Sequence, residues 1–292
     1  MPVLTRYAAA VAEADTNTLE MPRTRGLLPR FYTELVGRRV FHFLLAVHGL
    51  GAFALITLGV LLRKFRASHH VIWPLAAREI SRAGVRLLPM FLFVAVALGL
   101  LVIGQTVSWL TRVGAIQFLG PVMVVVVVRE LGPLTAALLV LARVGTANVV
   151  ELGTARALGE VESLEALGID PVHYLVVPRV VGMVVGVLSL TVYLILGAVV
   201  SGYLWAFVQD VPLMPGDYFS QLAGALGYMD FILLALKTAA FGFFIAIATC
   251  YHGLAQPLRL EEVSRATVRA VAQSVIVCMI LDALFIVVYL TF

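Results

Sequence analysis

Lysine is almost missing from this chain: Lys64 and Lys237 are the only two among 292 residues. Neither lies in a G-x-x-x-x-G-K-[ST] sequence, the loop that cradles nucleotide phosphates in P-loop proteins. The sequence therefore excludes a P-loop nucleotide site on this chain. If ATP drives the protein, we expect ATP and Mg to bind a partner ATPase subunit, and we expect no cofactor on the chain itself.

Charged residues of any kind are also scarce. They make up 13% of the chain, against 61% hydrophobic residues and a mean hydropathy of +1.01. A soluble domain carries about 25% charged residues, so this composition indicates a multi-pass membrane protein. The net charge of +4 is typical of basic cytoplasmic loops. The aromatic–basic alternation of RNA-binding proteins is absent, so we expect no nucleic-acid partner.

The sequence lacks the residue patterns that several kinds of chemistry require. The two cysteines, Cys250 and Cys278, both lie in apolar stretches, which argues against a disulfide framework or a zinc site. The six histidines show no metal-ligand spacing, and no Ser/His/Asp set or carboxylate pair stands at a membrane boundary. The apolar run Ala8–Ala12 is too short for a signal peptide. We expect a non-catalytic protein without a metal site.

Five apolar stretches are long enough to cross a bilayer as helices. They are residues 88–110, 118–149, 172–208, 231–251 and 270–290. The prediction is an all-α integral membrane protein with a cytoplasmic N-terminal tail (1–37), an elbow or interfacial region (38–87) and a transmembrane domain (88–292). Residues 209–229 are predicted to form an outer loop. In the third span, Gly182-x-x-x-Gly186 and Ala198-x-x-x-Gly202 predict close helix packing.

The region 38–87 holds two further candidates for helices. Val40–Leu62 is apolar but has Arg38-Arg39 before it and Arg63-Lys64 after it, which favours an elbow over a spanning helix. A sixth span remains the alternative. Val71–Arg86 has arginines every four residues and predicts a basic amphipathic helix on an anionic membrane surface.

An acidic stretch joins the second and third spans. In residues 151–170, four apolar residues recur every third position with glutamates between them: Leu158, Val161, Leu164 and Leu167. The pattern predicts an amphipathic helix at about 151–168. It is either a solvated surface element or a coupling helix whose apolar ridge docks on a partner.

Arg129 and Glu130 lie between strongly apolar segments, and ionisable residues at membrane depth indicate function by default. They either pair with each other or with backbone carbonyls and hold a kinked helix together, or Arg129 faces a cavity. A guanidinium in a cavity would bind a lipid phosphate through two parallel hydrogen bonds.

The motifs that surround these charges resemble a known family, the MlaE/YrbE permeases, which are the membrane subunits of ABC transporters that work with MCE-domain proteins on lipids. The matching segments are RELGP (129–133), ARVGTA (142–147), ELGT (151–154), LEALGIDP (164–171), VPR (177–179) and SRATVRAVAQSV (264–275), followed by Asp282 in the last span. The matches extend from about Arg63 to the end of the chain.

The resemblance implies a homodimeric permease in the bacterial inner membrane that moves lipids, mainly glycerophospholipids, between that membrane and a periplasmic MCE-domain protein. It implies three groups of residues. The substrate-binding group is Arg129, Glu130, Lys237, Val102, Gln105, Trp109 and Leu110; the ATPase-coupling group is Glu160, Val161, Leu164 and Glu165; and the structural or hinge group is Arg143, Glu151 and Asp282. Lys237 either handles the lipid head group or neutralises Asp282.

Two other functions stay open on the sequence. The chain could anchor an MCE protein and an ATPase without forming the lipid path, or it could be a stand-alone secondary transporter. The sequence gives neither the direction of transport nor the lipid species, and a sterol would use similar apolar walls.

Overall fold

The computed structural model describes residues 49–61, 69–209, 214–254 and 259–291, and this part of the chain is helical without a β-strand. The helices, in chain order, are α1 (Gly49–Leu61), α2 (His69–Ala83), α3 (88–113), α4 (Ile116–Ala157), α5 (Glu160–Ala166), α6 (Val172–Val208), α7 (Pro215–Ala225), α8 (Tyr228–Leu254) and α9 (Val263–Thr291).

The five predicted spans are confirmed as α3, α4, α6, α8 and α9, which are long and apolar enough to cross a membrane. The observed helices extend the predicted ones at several ends. The predicted tail 1–37 lies outside the described residues. Of the apolar stretch 40–62, the structure describes the helix Gly49–Leu61, and the choice between an elbow and a sixth span stays a prediction.

Helix α6 is the centre of the bundle and contacts α2, α3, α4 and α8. The predicted small-residue face of α6 lies against α2: a Cβ added at Gly182 would lie 2.6 Å from the Cβ of Glu79, and one at Gly186 would lie 2.8 Å from the Cβ of Ala83. Because both pairs are four residues apart and in the same order, α2 runs alongside α6. The predicted helix at residues 71–86 is present as α2, but its basic pattern did not reveal α6 as a packing partner. Its contact with an anionic membrane surface stays a prediction.

The second small-residue face, at Ala198 and Gly202, packs against α3 where that helix widens into a π-helical segment, Gly99–Ile103. Two further π-helical segments, Val124–Leu131 and Leu141–Gly145, lie in α4. Such segments leave carbonyl groups to be satisfied by other donors and are frequent at functional sites.

The connection between α4 and α6 contains a turn that the apolar pattern did not predict. Helix α4 continues to Ala157, the chain turns at Gly159 with φ of 77°, and α5 begins at Glu160. The single helix predicted over 151–168 is therefore wrong, since a left-handed glycine separates two helices.

The predicted outer loop 209–229 also contains a helix, α7. Its Tyr218 is buried, and the hydroxyl donates a hydrogen bond to the carbonyl of Val199 on α6 at 3.1 Å. Burial raises the pKa of the Tyr218 phenol, so the group stays a neutral hydrogen-bond donor.

Candidate functional site

Arg129 is held at the outer ends of α8 and α9. Its Nε lies 2.7 Å from the Oδ1 of Asp230, and its guanidinium carbon lies 4.9 Å from the ring centre of Tyr289. The Asp230 side chain is only 6% exposed, whereas that of Arg129 is 28% exposed. Arg129 thus keeps part of its guanidinium accessible beside a buried counter-ion.

Lys237 is fully buried and contacts three acceptors. Its Nζ donates to the carbonyl of Arg129 at 2.9 Å and to the Oε2 of Glu130 at 3.0 Å, and it lies 2.7 Å from the Oδ1 of Asp282. An ammonium group has three N–H donors, so these contacts use its full capacity. Lys237 therefore joins α4, α8 and α9, and its contact with Asp282 agrees with the alternative in which it neutralises that carboxylate. A part for Lys237 in head-group binding stays a prediction.

The carbonyl of Arg129 accepts this hydrogen bond for a local reason. Residue 133, four positions on, is proline, which has no N–H to offer to the Arg129 carbonyl. The Lys237 ammonium takes the place of the missing helical donor. The RELGP sequence thus leaves a carbonyl unpaired and puts a carboxylate beside it, and both bind one lysine.

The side of α4 that carries Arg129 is a stripe left uncovered by the rest of the bundle. Buried residues recur in pairs, at 127–128 and then every four positions from 132–133 to 152–153. The opposite positions are exposed or half-buried: Val125, Arg129, Thr135, Leu138, Ala142, Arg143, Thr146 and Val150. We call this set the α4 stripe. It is apolar in the middle and has an arginine towards each end.

The structure separates the predicted residues of α3 from this charged network. Val102 packs into the apolar cluster that includes Val127, while Gln105 and Trp109 are exposed and Leu110 is half-buried. Within the described ranges, no hydrogen bond or ion pair joins any of the four to Arg129 or Lys237.

Glu151 forms a second ionic cluster, near the ends of α2 and α4 and the beginning of α6. Its carboxylate accepts hydrogen bonds from both terminal nitrogens of Arg82 on α2, and Nη2 of Arg179 on α6 lies 3.4 Å away. Arg143 takes no part, so the prediction of a hinge pair between Arg143 and Glu151 is wrong. They are eight residues apart on one helix, about 12 Å, and both are exposed.

Helix α5 is fastened to the bundle by the residue that was predicted to anchor a partner. Val161 is fully buried in this chain's own core, and Arg156 lies 3.2 Å from Glu162 across the turn. Glu160 is exposed, and Leu164 and Glu165 are half-buried. The assignment of Val161 to the docking surface is therefore wrong, because only this chain contacts it.

The apolar groups that this turn exposes lie at its two ends. Leu158 is 61% exposed before α5, and Leu167 and Ile169 are 76% and 40% exposed after it. These three residues form a surface that we call the α5 patch. Large apolar groups exposed beside acidic side chains at the cytoplasmic end fit a protein–protein contact.

Three charged residues of these clusters were not predicted from the sequence. Asp230 lies between the predicted outer loop (209–229) and the predicted fourth span (231–251), and neither prediction gave it a role. An acid in the first turn of a helix is a recognisable capping signal, and Asp230 accepts a hydrogen bond from the N–H of Gly227 at 2.9 Å. Arg82 and Arg179 stood in recognised motifs, but nothing local indicated that both would reach Glu151.

Five helices that are long and apolar enough to span a membrane, with a charged network between them, define a multi-pass membrane protein. Comparison with known families places it more narrowly. Residues 76–288 match the family model described as Permease MlaE, and the chain belongs to that family of ABC transporter permeases.

Individual relatives agree with this assignment. The chain is 30% identical to a probable ABC transporter permease protein of Rickettsia felis over 84% of this chain and 92% of that protein. It is 27% identical to the intermembrane phospholipid transport system permease protein MlaE of Haemophilus influenzae over 86% and 94%. It is also 27% identical to the TRIGALACTOSYLDIACYLGLYCEROL 1 protein of Arabidopsis thaliana chloroplasts, over 76% and 63%.

Proposed function

We propose that this ABC permease moves glycerophospholipids between the bacterial inner membrane and an MCE-domain protein outside it. The observation that carries the proposal is the α4 stripe, where a partly exposed Arg129 lies at one end of an otherwise apolar path. A phospholipid needs this combination, an apolar wall for its acyl chains and a cation for its phosphate. The printed name of the Haemophilus relative, a phospholipid transport permease, supports the same substrate class.

In this proposal Arg129 binds the lipid phosphate. Asp230 and the ring of Tyr289 fix the orientation of the guanidinium, and the remaining N–H groups are free to donate to two phosphate oxygens. The ion pair of Glu130 with Lys237 and the hydrogen bond from Lys237 to the carbonyl of Arg129 hold this part of α4 against α8. The exposed residues of α3, including Gln105 and Trp109, contribute to the wall for the acyl chains.

A second copy of the chain forms the other wall of the path. In one copy the α4 stripe is open, and so is the apolar face of α9, where Met279, Ile280 and Leu284 are more than half exposed. Two copies related by a twofold axis would enclose a shared cavity between their uncovered faces.

The α5 patch is the proposed docking site for the ATPase. Its apolar groups would insert in a groove of the ATPase, and the exposed Glu160 and Glu162 would steer a basic rim. Because Val161 and the Arg156–Glu162 pair fasten α5 to α4, movement of the docked ATPase would reach α4 directly.

The test is purification of the complex in native membranes, with an inventory of its subunits and mass spectrometry of its lipids. We expect an ATPase, an MCE-domain protein and enriched glycerophospholipid. Replacing Arg129 with Gln should lower the retained phospholipid and ATP-dependent lipid movement while the subunits still co-purify. Retention of a sterol instead, or the same phospholipid content in the Arg129→Gln complex, would overturn the substrate assignment.

A further inference from the structure

Arg143 is the one group on the α4 stripe that has a full charge and nothing in the described ranges to neutralise it. It is exposed, and within those ranges its guanidinium forms no ion pair or hydrogen bond. The other arginines near it are paired: Arg82 and Arg179 with Glu151, and Arg156 with Glu162. An exposed, unpaired arginine on a spanning helix calls for a ligand.

The proposed function puts the connection between α4 and α6 in the cytoplasm, and in that orientation Arg143 lies below the cytoplasmic surface. It precedes Glu151, which lies in the ionic cluster at the cytoplasmic helix ends, by eight residues, about 12 Å along α4. An arginine side chain extends far enough to reach the head groups from there. Arg143 therefore lies where the phosphates of the cytoplasmic leaflet meet the acyl-chain region.

Arg143 and Arg129 are related by the geometry of α4. Both lie on the α4 stripe, and both lie within π-helical segments, Leu141–Gly145 and Val124–Leu131. Within the inner segment, the carbonyl of Ala142 accepts a hydrogen bond from the Thr146 hydroxyl at 2.7 Å. The segment is thus stabilised without using the Arg143 side chain, which remains available.

We propose that Arg143 binds the phosphate of a lipid head group at the cytoplasmic end of the α4 stripe. The proposal rests on the proposed function and adds a second head-group site to it, 14 residues or about 21 Å from Arg129. The two sites differ in charge. Arg129 has a buried counter-ion in Asp230, whereas Arg143 carries an uncompensated positive charge and attracts an anionic head group more strongly.

The part of the α4 stripe between the two arginines is an apolar interval that separates the two phosphate sites. It does not fix the direction of transport. Leu138 is half-buried on the stripe between them and offers no polar group to a head group. A phospholipid would exchange its phosphate between an inner and an outer guanidinium while its chains stay against aliphatic side chains.

The test uses the complete transporter in nanodiscs that contain a photoactivatable phosphatidylglycerol with its reactive group beside the phosphate. After irradiation, labelled peptides of α4 are identified by mass spectrometry. We expect labelling of residues 138–150, a loss of about tenfold in the Arg143→Gln variant, and retention of most labelling in Arg143→Lys. Arg112→Gln, which removes an exposed arginine from the outer end of α3, should leave the labelling unchanged.

A photoactivatable diacylglycerol, which has no phosphate, separates charge recognition from general lipid contact. Its labelling should be the same in the wild type and in Arg143→Gln. Equal phosphatidylglycerol labelling in both proteins would overturn the proposal, and so would loss of the contact between two copies in Arg143→Gln with lipid labelling intact. If Arg143-dependent labelling persists but no lipid moves with ATP, the transport function fails and the head-group site stands.

Discussion

Arg129 and Glu130 are neighbours in the chain, yet they do not pair with each other. Arg129 contacts Asp230 at 2.7 Å, and Glu130 contacts Lys237 at 3.0 Å, so each residue is tied separately to α8. Of the two interpretations that the sequence left open, mutual pairing is therefore wrong. The arrangement leaves Arg129 oriented and partly exposed while Glu130 is engaged in a brace between helices.

Removing the lysine at the centre of this brace should destabilise the fold. In Lys237→Met, the carboxylates of Glu130 and Asp282 would face each other without their shared cation. Breaking a buried ion pair from one side costs about 3–5 kcal/mol. We expect a lower unfolding temperature of the detergent-purified chain. Samples are heated to a series of temperatures, and size-exclusion chromatography measures the temperature at which the monodisperse peak is lost.

The matched control removes the stranded charges as well. The triple variant Lys237→Met, Glu130→Gln, Asp282→Asn should recover much of the lost stability, because neutral amides are cheaper to bury than carboxylates. A Lys237→Met protein as stable as the wild type would show that the lysine does not brace the helices.

Arg82 and Glu151 should be energetically coupled in the folded chain. Arg82→Glu and Glu151→Arg should each weaken the contact between α2 and α4, and the double variant should restore part of it. The effect will be modest, about 1 kcal/mol, since both side chains are partly exposed and screened by solvent. A double-mutant cycle on the unfolding temperature measures the coupling, and strictly additive effects would mean that the ion pair contributes no stability.

Close helix packing at Gly242 gives a steric prediction. A Cβ there would lie 2.7 Å from the Cα of Val184 and 2.8 Å from the carbonyl oxygen of Met183, both of which are α6 backbone. Gly242→Ala should therefore cost about 1–3 kcal/mol by forcing α6 and α8 apart.

Gly51→Ala is the control for this substitution. Gly51 is also helical, but it has nothing within 4 Å of the added Cβ, so alanine there should be neutral or stabilising. Equal tolerance of both substitutions in a thermal-shift measurement would contradict the observed closeness of α6 and α8.

Two substitutions near α5 should separate docking from folding. Leu167→Asp alters an exposed residue of the α5 patch and should reduce the amount of ATPase that co-purifies, without lowering the stability of the chain. Val161→Asp buries a carboxylate in the core and should destabilise the chain itself. Undiminished ATPase binding by Leu167→Asp would exclude the patch as the docking surface.

The apolar patterning of the sequence predicted the architecture well, because each spanning helix is specified locally by some 20 apolar residues. The third span, Val172–Val208, has the predicted bounds. The close packing at Gly182 and Gly186 was likewise visible as a four-residue spacing. Such patterns lie within one helix's own sequence, so they can be recognised without knowing which helix packs against it.

The pairing of charges was not predictable in the same way. Arg82 and Glu151 are 69 positions apart, and Lys237 and Glu130 are 107 apart, so only the packed bundle brings them together. The period-three pattern of α5 failed for another reason. It identified Val161 as apolar without showing which side of the turn the rest of the chain would cover.

The central claim is that lipid travels along the α4 stripe under the control of ATP. A photo-crosslinking amino acid at Leu138, midway along the stripe, tests it most directly when the complete complex is reconstituted with phospholipid. Val192 on α6, which is 42% exposed and off the stripe, is the control position. The account predicts a phospholipid adduct at Leu138 whose yield changes with ATP and an ATP-independent adduct at Val192. Equal yields at both positions, unaffected by ATP, would contradict it.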